Sequence, residues 1–78
     1  MIETGLSERN FAENLKKLRA SRTPPYSQEQ MAHILGISRS AYASYETGRR
    51  NAPVYVVLAA SKHFGISVDD LLRSQERS

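Results

Sequence analysis

Apolar residues near the start of the chain recur at helical spacing, and no stretch alternates with the period of two that a strand requires. Phe11, Leu15 and Leu18 stand at i, i+4 and i+7, so their side chains share one face. Ser7 suits the N-cap position before them, because its hydroxyl can accept a hydrogen bond from a free backbone N–H. The pattern predicts a first helix from about Ser7 to Ala20.

Two short helices joined by a tight turn are predicted between Ser27 and Gly48. Ser27 followed by Gln30 is a capping box, in which each side chain accepts a hydrogen bond from the other residue's backbone N–H. Gly36 suits the left-handed conformation that ends a helix. Only one residue separates Gly36 from Ser38, which caps the second helix. Two helices that meet at so short a turn form a helix–turn–helix motif.

The second of these helices has two different faces. Tyr42 and Tyr45 recur at i and i+3 and are predicted to pack in the core, which argues against a single-strand binder with exposed aromatic rings. A short, hydrogen-bonding face on the other side fits the major groove of DNA. That face consists of Arg39, Ser40, Ala43, Ser44 and Thr47.

A fourth helix is predicted from Pro53 to about Phe64, because proline suits the first turn of a helix. Its expected inward stripe is Val54, Val57, Ser61 and Phe64. The helix is nevertheless apolar on almost every side. Such a helix is either wholly buried or buried on two sides, and in a small chain the second case favours contact with another subunit.

A fifth helix is predicted after Gly65, with Ser67 as its cap. The fold class is therefore all-α, a compact domain of five helices with the helix–turn–helix at helices 2 and 3. A length of 78 residues allows one small domain. The expected organisation is a flexible arm at 1–6, the domain at 7–73 and a polar tail at 74–78.

The composition argues against an enzyme. There is no cysteine, so disulfides, thiolate metal sites and thiol catalysis are excluded. His33 and His63 lie far apart, and neither has a second histidine at i+4 or a spaced carboxylate pair that would indicate a metal site or a general base. The adjacent Asp69 and Asp70 point in different directions around a helix. We expect neither catalysis nor a cofactor.

The sequence also argues against a membrane protein. No apolar run approaches the length of a membrane span. The start of the chain, MIETGLSERN, is acidic and polar, whereas a signal peptide is basic and then apolar. We expect a cytoplasmic protein without membrane contact.

Charge is concentrated around the helix–turn–helix. Between Leu15 and Arg50, seven Lys and Arg residues face two Glu residues, a balance of +5 within a chain of net charge +3, so the remainder carries −2. A basic zone that coincides with this motif is typical of a surface that binds phosphates. The plainer interpretation is a solvated basic surface.

The pattern SQEQMAHILGISRSAYASYETGRR, together with the later segment LAASKHFGISVDDLL, resembles a known family. It is similar to the lambda-repressor-like (Cro/C1-type) regulators, which include phage Cro and repressor proteins and the xenobiotic-response-element type. The loop before Ser27 is longer than is usual in that family. The resemblance covers about residues 7 to 73 and rests on a spaced set of residues: Gln28, Ala32, Gly36, Ser38, Glu46, Gly48 and Pro53.

The resemblance implies which side chains contact DNA. Base contacts are expected from Arg39 and Ser40, at the end of helix 3 that reaches base edges when this motif docks, and from Ser44, about one turn further along the same face. Arg39 either reads guanine through O6 and N7 or holds a phosphate, and Ser44 is short enough to need close approach or a bridging water. Phosphate contacts are expected from Gln28, Ser38, Thr47, Arg49 and Arg50. The plainer interpretation is an ordinary exposed glutamine for Gln28, and helix capping and solubility for Thr47, Arg49 and Arg50.

The resemblance also implies an ion pair between Arg19 in helix 1 and Glu46 at the end of helix 3. If the pair is buried, it fixes the recognition helix against helix 1, and loss of one partner leaves an unpaired charge. If it is exposed, it contributes about 1 kcal/mol or less.

The sequence therefore predicts a sequence-specific regulator of transcription that binds double-stranded DNA, with repression as its expected action. We expect a homodimer on an inverted repeat, with helix 3 in the major groove and the surface of helices 4 and 5 as the interface. One alternative is a protein-interaction module, such as an antitoxin that binds a toxin partner and uses DNA binding for autoregulation. Another is a relative that keeps the fold and binds no DNA.

Overall fold

The computed structural model describes residues 7–73, apart from the side chain of Glu8, and the predicted arm and tail lie outside the described residues. Over that range the protein is all-helical, which confirms the predicted fold class. The five helices are α1 (Glu8–Arg19), α2 (Gln28–Leu35), α3 (Arg39–Glu46), α4 (Val54–Phe64) and α5 (Val68–Leu72).

Serine side chains begin four of the five helices. Ser7, Ser27, Ser38 and Ser67 each accept a hydrogen bond from the backbone N–H three residues later, at 3.0–3.2 Å. At Ser27 the predicted capping box is complete, since its own backbone N–H donates to Gln30 Oε1 over 2.8 Å. These bonds satisfy donors that a helix start otherwise leaves without a partner, and they fix where each helix begins.

Ten buried residues from all five helices form one core. α2 packs on α3 and α4, α1 packs on α3 and α5, and α4 packs on α5. The helices α1, α4 and α5 therefore pack on one side of the helix–turn–helix and leave its other side open. The members of the core are Phe11, Leu15, Met31, Ala32, Leu35, Tyr42, Tyr45, Val56, Ala60 and Leu71.

The predicted inward stripe of α4 is correct only in part: Val57 and Phe64 pack against the core, but Val54 does not, and the most buried residues were not predicted. Val56 and Ala60 are fully buried, whereas Val54 is 72% exposed. Pro53 is the N-cap rather than part of the first turn. Because α4 is apolar on nearly all sides, its pattern did not distinguish one face from another, and the packing against α2 and α5 selects the face. The outward side leaves Tyr55 and Leu58 more than half exposed.

A polar contact that sequence reasoning missed ties α5 to α1. Asn14 is buried, and its side-chain amide donates to the backbone oxygens of Leu71 at 2.7 Å and Arg73 at 3.0 Å. Asn10 Nδ2 donates to Leu72 O at 2.9 Å. The final carbonyls of a helix have no partner within it, so these amides satisfy the end of α5 and hold it on α1.

None of the helices within residues 7–73 has the length and apolar character needed to cross a lipid bilayer.

Candidate nucleic-acid interface

The turn between α2 and α3 is set by one glycine. Gly36 has φ of 72°, in the left-handed region, and its N–H donates to His33 O. Ile37 N–H donates back to Ala32 O at 3.0 Å, and its side chain packs against the core. These contacts fix the angle at which α3 leaves α2, so the two helices form the predicted helix–turn–helix.

The two faces of α3 are separated as predicted. Tyr42 is fully buried and Tyr45 is 5% exposed, which confirms that these rings are core residues and not stacking platforms. The opposite face is open to solvent. It contains the exposed Arg39, Ser40 and Thr47 and the partly exposed Ala43 and Ser44.

The carboxylate of Glu46 is the hub that fixes α3. Oε2 accepts hydrogen bonds from Arg19 Nε at 2.7 Å and from the Tyr42 hydroxyl at 2.5 Å. Oε1 accepts from Arg19 Nη2 at 3.2 Å and from Gln28 Nε2 at 3.0 Å. A carboxylate has about four acceptor positions, so this one is filled. Through it, α1, α2 and α3 are joined at one buried point.

Burial and charge act in opposite directions on Glu46, whose side chain is 4% exposed. Burial alone would raise the pKa of this carboxyl, but hydrogen bonds from Arg19, Tyr42 and Gln28 and the charge of Arg19 hold the pKa below its usual value. The hydrogen bond to Glu46 raises the pKa of Arg19, although burial opposes it. Burial and the bond to Glu46 raise the pKa of Tyr42. Glu46 and Arg19 therefore remain charged, and Tyr42 remains neutral, over the physiological range.

Gln28 lies at the first position of α2 and belongs to this network. One hydrogen of its amide is donated to Glu46 Oε1. An amide nitrogen carries two hydrogens, so the second stays available for another acceptor. The sequence placed Gln28 near DNA but did not indicate this bond, which fixes the orientation of the amide.

The hydroxyls of Ser38 and Thr47 differ in what they can still donate. Ser38 Oγ accepts from Ala41 N as a cap, which leaves its own hydrogen free for a phosphate oxygen. Thr47 Oγ1 instead donates its only hydrogen within α3, at 2.9 Å to Ala43 O. A phosphate oxygen only accepts hydrogen bonds, so Thr47 would have to break this bond to contact one. The geometry therefore favours Ser38 over Thr47 as a donor to a phosphate oxygen.

Three arginines near α3 are exposed and form no ion pair with any described residue: Arg39 at the N-terminal end, and Arg49 and Arg50 in the loop after it. Arg50 lies 5.9 Å from the ring centre of Tyr45, at the edge of cation–π range. Between residues that the structure describes, ion pairs join Arg19 to Glu46 and Arg73 to Asp70. These three arginines therefore supply positive charge that no described carboxylate neutralises.

Comparison with known proteins identifies the family of this chain. A helix-turn-helix family model matches residues 25–71, which include α2, α3, α4 and all but the last residue of α5. Over 63 residues the chain is 41% identical to the SPbeta prophage-derived HTH-type transcriptional regulator YonR of Bacillus subtilis, covering 81% of this chain and 56% of that protein. It is 34% identical to the control protein C.MunI of Mycoplasma sp., covering 86% and 89%.

A solved structure agrees with these sequence matches. The restriction-modification controller protein C.AhdI from Aeromonas hydrophila is 28% identical and superposes with a TM-score of 0.69, over 82% of this chain and 94% of that one. The chain spans about half the length of the first curated relatives that it matches, at 56% and 54%. The family model covers more than half of this chain. The chain therefore belongs to the Cro/C1-type helix-turn-helix family of DNA-binding transcriptional regulators, which are not enzymes.

Proposed function

We propose that this chain binds double-stranded DNA of defined sequence as a homodimer and represses transcription from an inverted-repeat operator in the cytoplasm. The observation that carries the proposal is the orientation of α3. Glu46 fixes its buried side through α1 and α2, while Arg39 and Ser40 project into solvent at its N-terminal end. This is the end that contacts base edges in helix–turn–helix complexes.

The residues that contact base edges are Arg39, Ser40 and Ser44. Arg39 has no partner among the described residues, so its guanidinium can form two hydrogen bonds with guanine O6 and N7. The hydroxyls of Ser40 and Ser44 lie one turn apart on the same open face and suit either direct or water-bridged contacts.

The residues that bind phosphates lie before and after α3 in the chain. Gln28 and Ser38 each keep a donor hydrogen after forming their intramolecular bonds. Arg49 and Arg50 supply unpaired positive charge beyond the other end of the helix. Contacts at the two ends would hold α3 in the groove and set its register on the duplex.

The expected homodimer follows from the size of the reading surface. α3 has eight residues and a length of about 12 Å, which spans only three or four base pairs. Two copies related by a two-fold axis read two half-sites about one helical turn apart. The exposed apolar side of α4, formed by Val54, Tyr55 and Leu58, is the surface for that contact.

An antitoxin-like module would use the same apolar side of α4 for a different protein. The two functions differ in solution mass. A regulator forms a stable dimer at micromolar concentration, whereas the module is a monomer until its partner is added.

Selection of bound duplexes from a random pool, at about 150 mM salt where non-specific contacts are weakened, tests the proposal. Enrichment of an inverted repeat, bound with two chains per duplex, is the expected result. Recovery of no sequence, with weak binding that salt abolishes, would contradict sequence-specific regulation.

A further inference from the structure

Ala43 is an apolar residue on a polar face of α3. The helix has another partly exposed alanine, Ala41, but that side chain packs against the core, whereas Ala43 is not part of the core or of its packing shell. Helical spacing places Ala43 with Arg39 at i−4, Ser40 at i−3 and Thr47 at i+4. It therefore lies at the centre of the surface that would face the major groove.

Ala43 presents a methyl group and no free carbonyl. Its backbone oxygen already accepts hydrogen bonds from Thr47 N at 3.1 Å and Thr47 Oγ1 at 2.9 Å. Ser40 and Ser44 beside it are short, so no long side chain holds the helix backbone away from a surface at this point. The chemistry of position 43 thus suits an apolar group at close range and no hydrogen-bonding one.

The major groove offers one apolar feature to such a side chain, the C5-methyl group of thymine. We propose that Ala43 is a specificity-determining residue that contacts a thymine methyl in each half-site. The inference rests on the proposed function and extends it. Four residues of helix rise by about 6 Å, and stacked base pairs are about 3.4 Å apart, so this thymine lies about two base pairs from the guanine read by Arg39.

The test replaces thymines of the selected operator by deoxyuridine, which removes only the C5-methyl group. Each symmetric pair of thymines is replaced in turn, and affinity is measured for the wild type, Ala43→Gly and Ala43→Ser. A buried methyl corresponds to about a fourfold change per half-site, so the wild type should lose about 15-fold at one symmetric position. Thymines flanking the operator are the internal control.

The two variants assign that loss to residue 43. Ala43→Gly removes the contacting methyl. Ala43→Ser keeps the Cβ and places a hydroxyl at the contact, so it gives a second result if the glycine variant folds poorly. The affinity ratio between thymine and deoxyuridine at that position should approach one in Ala43→Gly, and it should fall below the wild-type ratio in Ala43→Ser, because the added hydroxyl sets a polar group beside the thymine methyl. Equal ratios in the wild type and both variants, or no sensitive thymine in an operator that is bound tightly, would overturn the role of Ala43 and leave the regulator intact. If no operator is selected, both proposals fall.

Discussion

The hydroxyl of Tyr42 donates to Glu46 Oε2 at 2.5 Å, one turn further along α3, and both groups are buried. Arg19 from α1 contacts the same oxygen at 2.7 Å. The position of α3 is therefore fixed by a carboxylate whose acceptor positions are all occupied, in addition to apolar packing. Stability and DNA binding should both depend on that group, since Gln28 takes its orientation from it.

Replacing Arg19 should destabilise the fold strongly. In Arg19→Ala, Glu46 stays buried without its cation, which costs about 3 kcal/mol and is a large part of the stability of so small a domain. Arg19→Lys keeps the charge but cannot form two parallel bonds, so its loss should be smaller. Urea unfolding measures both.

Arg73→Ala is the matched control for that prediction. Arg73 pairs with Asp70 at 3.5 Å, and both side chains are more than half exposed. Loss of an exposed pair costs about 1 kcal/mol or less. Equal losses for Arg19→Ala and Arg73→Ala would mean that burial of the Glu46 pair contributes nothing.

Tyr42→Phe should remove one bond while preserving the ring in the core. Hydrogen bonds to charged groups contribute about 1.5–3 kcal/mol, so the free energy of unfolding should fall by about that amount. Tyr55→Phe, at a tyrosine that is 61% exposed, should change it little. A Tyr42→Phe variant as stable as the wild type would rule out a stabilising role for this bond.

Acid should weaken the protein through Glu46. Its folded pKa lies below the usual value, so its contribution to stability is present above the unfolded pKa of about 4.3 and is lost as pH falls through the folded pKa. The stability advantage of the wild type over Glu46→Gln should thus shrink between about pH 6 and about pH 3. An advantage that stays constant over this range would show that ionisation of Glu46 is not coupled to folding.

Arg49→Ala should weaken binding to all duplexes alike, because a phosphate contact carries no sequence information. The slope of log affinity against log salt should fall by about 1. Lys62→Ala, which removes an exposed positive charge from α4, is the control and should leave the slope unchanged. A change in sequence preference in Arg49→Ala would instead indicate a base contact.

The caps of α1, α2, α3 and α5 could be predicted because serine, glycine and spacing act locally. The phase of α4 could not, since Val54 and Val56 are equally apolar and only the neighbouring helices decide that Val56 is buried. Asn14 was missed for a related reason, as its buried amide has partners more than fifty residues away.

The candidate site shows the same division. Its location followed from the motif, and the Arg19–Glu46 contact from the family resemblance. The other two donors to Glu46, Gln28 and Tyr42, could not be predicted. The sequence explains Gln28 as a phosphate contact and Tyr42 as a core residue, and the two side chains meet only in the folded structure. The internal bond of Thr47 likewise depends on side-chain orientation that spacing does not give.

The central claim, that α3 reads bases through Arg39, is tested most directly by placing 7-deazaguanine, which lacks N7, at each symmetric guanine of the selected operator. The wild type should lose affinity at one symmetric position, and Arg39→Ala should bind the modified and unmodified operators equally. A bidentate contact is worth about 1–3 kcal/mol, and 7-deazaguanine removes one of its two hydrogen bonds in each half-site, so the loss is large enough to measure. Contradiction would be an Arg39→Ala variant that weakens binding to every duplex alike, lowers the salt slope and keeps the wild-type sensitivity to 7-deazaguanine.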